Sequence, residues 1–151
     1  MAVNPDIVGR EYPPIPVYEV GREKIREFAE AINSPDPVHR DPEAARAKGY
    51  PDVIASPTFA VIIAQRADAR IIADPDSGID YSRVVHGEQR FVHHRPIVAG
   101  DRLVATPHVD SVDARGRHAM VTTRVEIADE NGEPVTTARS TIVVRDAGEA
   151  A

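Results

Sequence analysis

The chain has 151 residues, 42% of them hydrophobic, which predicts one soluble globular domain whose core needs no disulfide or structural metal. It contains no cysteine, which excludes disulfides, thiolate metal sites and cysteine nucleophiles and suits a cytoplasmic protein. The formal net charge of -6 argues against general affinity for nucleic acid or anionic membranes, and no signal peptide or run of membrane-spanning length is predicted.

The first part of the chain predicts a proline-rich arm, a short strand and an amphipathic helix. Prolines between residues 13 and 16 keep the arm extended, and residues 17–20 are a strand candidate. Residues 21–32 place apolar side chains at helical spacing, with charged side chains opposite. Because a proline restricts the residue before it, this helix is expected to end at Asn33-Ser34-Pro35.

Two further helices are predicted from a capping side chain followed by proline. Asp41-Pro42 starts a helix of about two turns, which Gly49 ends. Ser56-Pro57 starts the most apolar segment of the chain, and we predict that this segment is the central helix. Residues 58–64 are apolar almost all round, so they are expected to be buried on most sides.

From residue 82 onward, the pattern changes to the two-residue period of β-strands. Four strand candidates rich in valine and threonine span residues 82–94, 101–113, 117–129 and 134–146. Turn-like sequences connect them at residues 99–101, 114–116 and 130–133, and the last of these contains the hairpin signal Asn-Gly. Consecutive hairpins predict an antiparallel meander. Its apolar face needs the central helix as cover, so the predicted fold class is α+β.

Nearly the whole chain resembles the MaoC-like (R)-specific enoyl hydratases and (3R)-hydroxyacyl dehydratases. The likeness is closest to an actinobacterial branch that includes the non-catalytic-type subunit of the mycolic-acid dehydratase. Four segments carry it: YEVGREKIREFAEAI, DPEAARAKGYPDVIASPTF, YSRVVHGEQRF and RPIVAGDRL. The resemblance implies the hot-dog fold, an antiparallel sheet wrapped around one long buried helix. We expect one such domain, of the MaoC-like N-terminal dehydratase type, at residues 1–147, and a frayed tail at 148–151.

The resemblance also implies what the protein binds. Hot-dog subunits pair so that two sheets join edge to edge, here in a homodimer or in a heterodimer with a MaoC-like subunit. An acyl chain would lie near that interface, carried on coenzyme A or on acyl carrier protein, with no further cofactor. The expected ligand is therefore acyl-CoA or acyl-ACP, and no nucleic acid or membrane is expected as a partner.

One loop, NSPDPVH at residues 33–39, carries the family's catalytic motif in altered form. Family hydratases have Ser-Gly-Asp-x-Asn-Pro-x-His, whose Asp and His activate a water molecule. Here His39 and Pro37 match the motif, while Asp36 stands at the position of the Asn and Ser34 at that of the Asp. The resemblance implies that His39 is a catalytic base that has lost its carboxylate partner. The alternative is that His39 closes the loop or faces a subunit interface.

Two nearby carboxylates are candidates to replace the missing one. Asp36 lies in a Pro-Asp-Pro turn, where its side chain can instead bond the local backbone. Asp41 can instead cap the following helix. Serine at position 34 can hydrogen-bond water, but it supplies no negative charge.

Substrate-binding candidates lie outside the loop as well. Pro57, Thr58 and Phe59 could line an acyl site, although their apolarity is equally typical of core residues. His86 and Gly87 could bring a backbone group close to the thioester, because glycine in a strand permits close approach. The alternative for Gly87 is a β-bulge.

Six basic side chains near the loop are candidates to meet a phosphopantetheine phosphate or an acidic carrier protein: Arg22, Lys24, Arg26, Arg40, Arg46 and Lys48. Glutamates lie between them, which favours an ordinary solvated face. The adjacent His93 and His94 are expected on opposite faces of a strand, so no metal site is predicted. There is no GxSxG segment and no phosphate-cradling glycine loop.

Three functions fit this sequence. The first is a subunit or homologue of a (3R)-hydroxyacyl-thioester dehydratase, or of the reverse (R)-enoyl-thioester hydratase, that acts in fatty-acid metabolism and needs a catalytic partner subunit. The second is a non-enzymatic hot-dog protein that binds or scaffolds acyl thioesters. The third, a thioesterase, is disfavoured because no Asp or Glu lies at the start of the central helix.

Overall fold

The computed structural model describes residues 3–146 and Gly148. These residues form helices α1 (Arg22–Ala31), α2 (Pro42–Ala47) and α3 (Ala60–Ala73), and strands β1 (Tyr18–Glu19), β2 (Val84–His93), β3 (Arg102–Arg115), β4 (His118–Asp129) and β5 (Pro134–Val144). Single 3-10 turns occupy Pro5–Ile7, Pro37–His39 and Tyr81–Arg83. The predicted helices and strands are therefore confirmed, with small shifts of their ends. Apart from Gly148, the predicted tail lies outside the described residues.

The five strands form one antiparallel sheet in the order β1-β3-β4-β5-β2. The tight turns predicted at residues 114–116 and 130–133 join β3 to β4 and β4 to β5, which pair along most of their length. The expected hairpin between β2 and β3 is wrong, because β2 pairs with β5 at the other side of the sheet. Residues 94–101 cross between the two edges, and Ala55 N–H donates to the carbonyl of Ile97 there at 2.7 Å.

Helix α3 packs against the sheet with one face in the core. Its buried side chains recur at helical spacing and meet buried side chains of β3, β4 and β5: Ala60, Ile63, Ala64, Ala67 and Ile71. Alanine at three of these positions lets the helix approach the sheet closely. Thr58 is exposed and Val61 is half-buried, so the start of this segment is less enclosed than predicted.

Local hydrogen bonds set both ends of the loop at residues 33–41. At the end of α1, Asn33 takes the left-handed φ of 56°, and Ser34 N–H donates to the carbonyl of Ala29 at 2.8 Å. This is a Schellman motif, in which Asn33 takes the left-handed position that glycine usually occupies at the end of a helix. At the start of α2, Asp41 accepts a hydrogen bond from Glu43 N–H at 2.9 Å, so the predicted cap is confirmed.

The predicted side-chain cap of the central helix is wrong. Helix α3 begins at Ala60 with Phe59 at the N-cap position, and no side chain caps it. Instead, the carbonyl of Ser56 accepts from Phe59 N–H at 2.9 Å, which forms a turn ahead of the helix. The hydroxyl of Ser56 is buried and has no hydrogen-bond partner among the described residues.

Candidate functional site

A cavity of about 550 Å³ opens between the 33–41 loop, the segment before α3 and the segment after β2. We call it the His39 cavity. Its volume is typical of small-molecule sites, which hold roughly 300–1,000 Å³. Among the predicted site residues, it brings together His39, Asp36 and Pro57. The full lining is Asp36, Val38, His39, Lys48, Tyr50, Ile54, Ala55, Ser56, Pro57, His93, His94, Arg95, Pro96 and Ile97.

His39 is held by a hydrogen bond on one ring nitrogen. The residue is 7% exposed, and its Nδ1 lies 2.7 Å from the backbone oxygen of Ile54. Because a carbonyl oxygen can only accept, Nδ1 carries the hydrogen. Nε2 is therefore the nitrogen that can accept a proton, which is the arrangement a general base needs.

Asp36 and Arg40 fix the loop around His39. Asp36 accepts a hydrogen bond from Val38 N–H at 3.1 Å, so the predicted bond to local backbone is confirmed. Arg40 donates to the carbonyl of Ser34 at 2.8 Å and to the carboxylate of Glu30 at 2.7 Å. These charge-assisted bonds tie the loop to α1, and they position His39 before any ligand binds.

Part of the predicted catalytic motif lies outside the His39 cavity. Ser34 does not line the cavity, and its backbone N–H and carbonyl are bonded to Ala29 and Arg40. Asp36 is the one carboxylate among the described lining residues, and it already bonds the loop backbone. The catalytic roles of His39, Ser34 and Asp36 stay predictions.

Ser56 and His93 are cavity residues that sequence reasoning did not select. The Ser56 hydroxyl is buried at the cavity wall without a hydrogen-bond partner in the described part of the chain. His93 Nε2 donates to the carbonyl of Pro57 at 2.8 Å, and its Nδ1 lies 3.0 Å from the Thr136 hydroxyl. His93 thus clamps the segment before α3 to the sheet. The one sequence signal at Ser56 is the Ser-Pro pair. Because this pair is typical of a helix cap, it did not indicate that Ser56 lines a cavity.

The other predicted substrate-binding residues lie elsewhere. Phe59 is fully buried in the core, edge-on to the rings of Tyr18 and Phe28, while Thr58 is exposed on the turn before α3. His86 lines a second, smaller cavity. The register of β2 against β5 shifts between His86 and Glu88, so the alternative of a β-bulge at Gly87 is confirmed.

Ion pairing distinguishes Lys48 from the other five basic side chains near the loop. Five are paired, namely Arg22 with Asp52, Lys24 with Glu27, Arg26 with Glu23, Arg40 with Glu30 and Arg46 with Glu43. Lys48 has no ion pair among the described residues, and it lines the His39 cavity. The lining of the His39 cavity therefore includes one ammonium group without an ion pair among the described residues, together with the carboxylate of Asp36.

Residues 3–146 and Gly148 contain neither a cluster of metal ligands nor a membrane-spanning helix. No group of three or more histidine, aspartate and glutamate side chains there could hold a metal ion. Both ring nitrogens of His93 are hydrogen-bonded, and His94 follows the last residue of β2. No helix in these residues is long and apolar enough to cross a membrane.

Known proteins resemble this chain along most of its length. The family model for the FAS1-like, dehydratase domain region matches residues 6–138. A UPF0336 protein of Saccharopolyspora erythraea is 60% identical over 149 residues, which are 99% of this chain and 96% of that protein. A chain of the C-terminally truncated HadBC (3R-hydroxyacyl-ACP dehydratase) complex of Mycobacterium tuberculosis is 37% identical, with a TM-score of 0.83. The match covers 91% of this chain and 97% of that one.

A second solved structure, a MaoC-like dehydratase, is 34% identical to this chain, with a TM-score of 0.86. The match covers 93% of this chain and 43% of the dehydratase chain. Both structures confirm the predicted hot-dog fold, and they confirm the predicted resemblance to MaoC-like dehydratases. The family model covers well over half of the chain. The chain therefore belongs to the family of the FAS1-like dehydratase domain region.

Proposed function

We propose that the chain is a subunit of a (3R)-hydroxyacyl-thioester dehydratase, or of the reverse (R)-enoyl-thioester hydratase, and is deficient in catalysis on its own. One observation carries the proposal. His39 is held in a ligand-sized cavity with Nε2 available as a base, and the predicted motif alignment puts Ser34 at the position of the carboxylate that acts with it in the family. On this proposal, the site is a hydratase site that lacks one of its two acid–base groups.

The chemistry explains why this loss is severe. Adding water across an enoyl thioester needs a base to take a proton from water, an acid to protonate the α-carbon and donors for the enolate oxygen. His39 can take the first role. The hydroxyl of Ser34 cannot act as the general acid or base that a carboxylate would provide. Asp36 stands in the cavity, but its bond to Val38 stabilises the loop.

A MaoC-like partner would supply the complete Asp/His pair. The HadBC structure is of a complex, and this chain covers nearly all of its matched chain in that complex, which supports a heterodimer. Strand β2 is an open edge of the sheet, and its Val85 and Val92 are 43% and 53% exposed. An edge of ten residues with exposed valines is suited to pairing with a second sheet.

The proposed substrate is an acyl thioester carried on coenzyme A or acyl carrier protein. Both carriers present a phosphopantetheine arm, whose phosphate would meet the unpaired ammonium of Lys48 at the His39 cavity. The apolar side chains of Val38, Ile54 and Ile97 would contact the acyl part of the ligand. No further cofactor is needed for this reaction.

The test is hydration of crotonyl-CoA by the purified chain, with and without a MaoC-like protein that carries the full Asp/His pair. We expect little activity from the chain alone and full activity from the complex. His39→Ala in this chain should leave turnover by the complex within about threefold of the turnover by the unsubstituted complex. Removing the partner's own histidine should abolish turnover. Full activity of the chain alone, lost in His39→Ala but not in the control His118→Ala, would disprove the non-catalytic role.

The second candidate function is acyl-thioester binding without turnover. The same cavity and the same Lys48 support it, because neither depends on catalysis. It predicts saturable binding of crotonyl-CoA and no hydration with any partner. The activity of the reconstituted complex therefore separates the two functions.

A further inference from the structure

The orientation of His39 depends on a backbone segment behind it. Its Nδ1 lies 2.7 Å from the carbonyl oxygen of Ile54, so the place of that oxygen decides which ring nitrogen carries the hydrogen. Ile54 belongs to residues 53–55, a short segment ahead of helix α3. Its own N–H donates to the carbonyl of Val38 at 3.0 Å, so this segment is bonded twice to the loop that carries His39. Whatever holds residues 53–55 therefore also holds the ring.

Residues 94–101, which we call the crossing segment, hold residues 53–55 from the other side. Two backbone hydrogen bonds join the two segments, from Ala55 N–H to the carbonyl of Ile97 at 2.7 Å and from Ala99 N–H to the carbonyl of Val53 at 3.0 Å. Three of these four residues are buried. Because buried backbone groups need hydrogen-bond partners, residues 53–55 follow the shape of the crossing segment.

An ion pair sets the shape of the crossing segment. The guanidinium of Arg95 contacts the carboxylate of Asp101 at two points, with N–O distances of 2.7 and 3.2 Å. The same carboxylate accepts a hydrogen bond from Val98 N–H at 2.9 Å. The two side chains of the pair are 34% and 17% exposed. A two-point contact between arginine and a carboxylate constrains direction as well as distance, so it restricts the backbone between the two residues.

The far end of the crossing segment is bonded to the residue that follows β1. Val20 N–H donates to the carbonyl of Asp101 at 2.9 Å, and Gly100 N–H donates to the carbonyl of Val20 at 2.8 Å. Gly100 has a φ of 95°, in the left-handed region that favours glycine. Asp101 is therefore joined to the sheet, and its carboxylate ties Arg95, at the wall of the His39 cavity, to that fixed position.

We propose that Arg95 and Asp101 are positioning residues for His39. Their ion pair keeps the crossing segment in the shape that presents residues 53–55, and the carbonyl of Ile54 then keeps the hydrogen of the neutral ring on Nδ1. Nε2 is left as the nitrogen that accepts a proton. The choice of ring nitrogen is independent of any reaction, whereas its use in hydration rests on the proposed function.

The test is long-range proton–nitrogen NMR of the full chain with ¹⁵N-labelled histidine at about pH 9, where histidine rings are neutral. The unsubstituted chain should show His39 mainly as Nδ1–H, and His93, whose Nε2 donates to the carbonyl of Pro57, as Nε2–H. Asp101→Asn should lower the ratio of Nδ1–H to Nε2–H at His39 about fivefold, because the hydrogen bond to Ile54 is weakened. Arg95→Lys keeps the charge but not the two-point contact, so it should lower the same ratio about twofold.

Asp74→Asn is the matched control. Asp74 pairs with Arg10 at 3.1 Å, and those side chains are 15% and 38% exposed, close to the values for Asp101 and Arg95. The control should lose about as much stability in urea as Asp101→Asn and leave the ratio at His39 unchanged. Arg95→Gln combined with Asp101→Asn should lower the ratio no further than Asp101→Asn alone, because the two side chains act as one unit. An unchanged ratio in Asp101→Asn, an equal change in Asp74→Asn, or additive effects of the two halves of the pair would overturn the proposal.

A second readout separates this proposal from the proposed function. In a Ser34→Asp background, adding Asp101→Asn should lower kcat for crotonyl-CoA hydration about tenfold and leave KM within about twofold, whereas adding Asp74→Asn should change neither. The ratio at His39 is measured without substrate. A chain that shows no hydration with any partner would therefore disprove the proposed function, while the ratio still decides whether Arg95 and Asp101 position the ring.

Discussion

The substitution Asp68→Asn should stabilise the protein, and the gain should grow with pH. In the folded chain, burial raises the pKa of Asp68 from its ordinary 3.8 to about 6. This rise corresponds to about 3 kcal/mol of native-state destabilisation once the group is ionised in both states. Asparagine has the same shape and no charge, so it removes this cost.

The sign follows from proton binding. The folded state holds the Asp68 proton more tightly than the unfolded state, so the contribution to stability is fully present below pH 3.8 and is lost as the pH rises through 6. The advantage of the Asn variant should therefore be about 1.5 kcal/mol at pH 5 and about 3 kcal/mol at pH 8. The asparagine amide adds a buried polar group whose cost does not change with pH, so the rise of about 1.5 kcal/mol in the variant's relative stability between pH 5 and pH 8 is the quantity that the prediction specifies.

Urea unfolding of the wild-type chain and the variant, followed by circular dichroism between pH 5 and pH 8, measures the difference directly. Glu133→Gln is the control, because that carboxylate is exposed in the β4–β5 turn. A difference in unfolding free energy that stays constant from pH 5 to pH 8 would refute the assignment of a buried carboxylate with a raised pKa. If the variant were less stable than the wild-type chain, and increasingly so as the pH rises, the direction of the pKa shift of Asp68 would be refuted.

Three further substitutions test the proposed function. Ser34→Asp should give the isolated chain at least about tenfold more crotonyl-CoA hydration, because it restores the carboxylate; no gain would mean that the site lacks more than this group. Lys48→Glu should weaken coenzyme A binding about fivefold in calorimetry, whereas Lys24→Glu, whose lysine is already paired with a glutamate, should not; equal losses would argue against a specific phosphate contact. Val92→Asp on the open edge of β2 should reduce the assembled fraction in light scattering, and Val8→Asp, equally apolar and away from that edge, should leave it intact.

Local sequence signals determined most of the secondary structure. The helical spacing of apolar residues predicted α1, the Asp41-Pro42 pair predicted the start of α2, and the Asn-Gly turn predicted the β4–β5 hairpin. Each signal acts within a few residues, because capping, proline geometry and turn conformation are properties of neighbouring backbone groups.

Tertiary packing decided what those signals left open. The Ser56-Pro57 pair has the local form of a cap, yet α3 starts only at Ala60, and the Ser56 hydroxyl is buried without a hydrogen-bond partner among the described residues. Strand β2 reaches β5 rather than β3, since residues 94–101 pair with the segment before α3 instead of making a hairpin.

The sequence by itself therefore determined the family and the order of elements, and it gave the prediction that Ser34 stands in place of a carboxylate. The three-dimensional fold decided which groups share a cavity: His39 with Lys48, and Asp68 with Thr123, which lies far along the chain from it. The physical reason is that burial, desolvation and ion pairing depend on neighbours in space. Arg46 and Lys48 have the same charge and nearly the same position in the sequence, but the fold brings Asp52 within 4.0 Å of Arg46 and leaves Lys48 without an ion pair among the described residues.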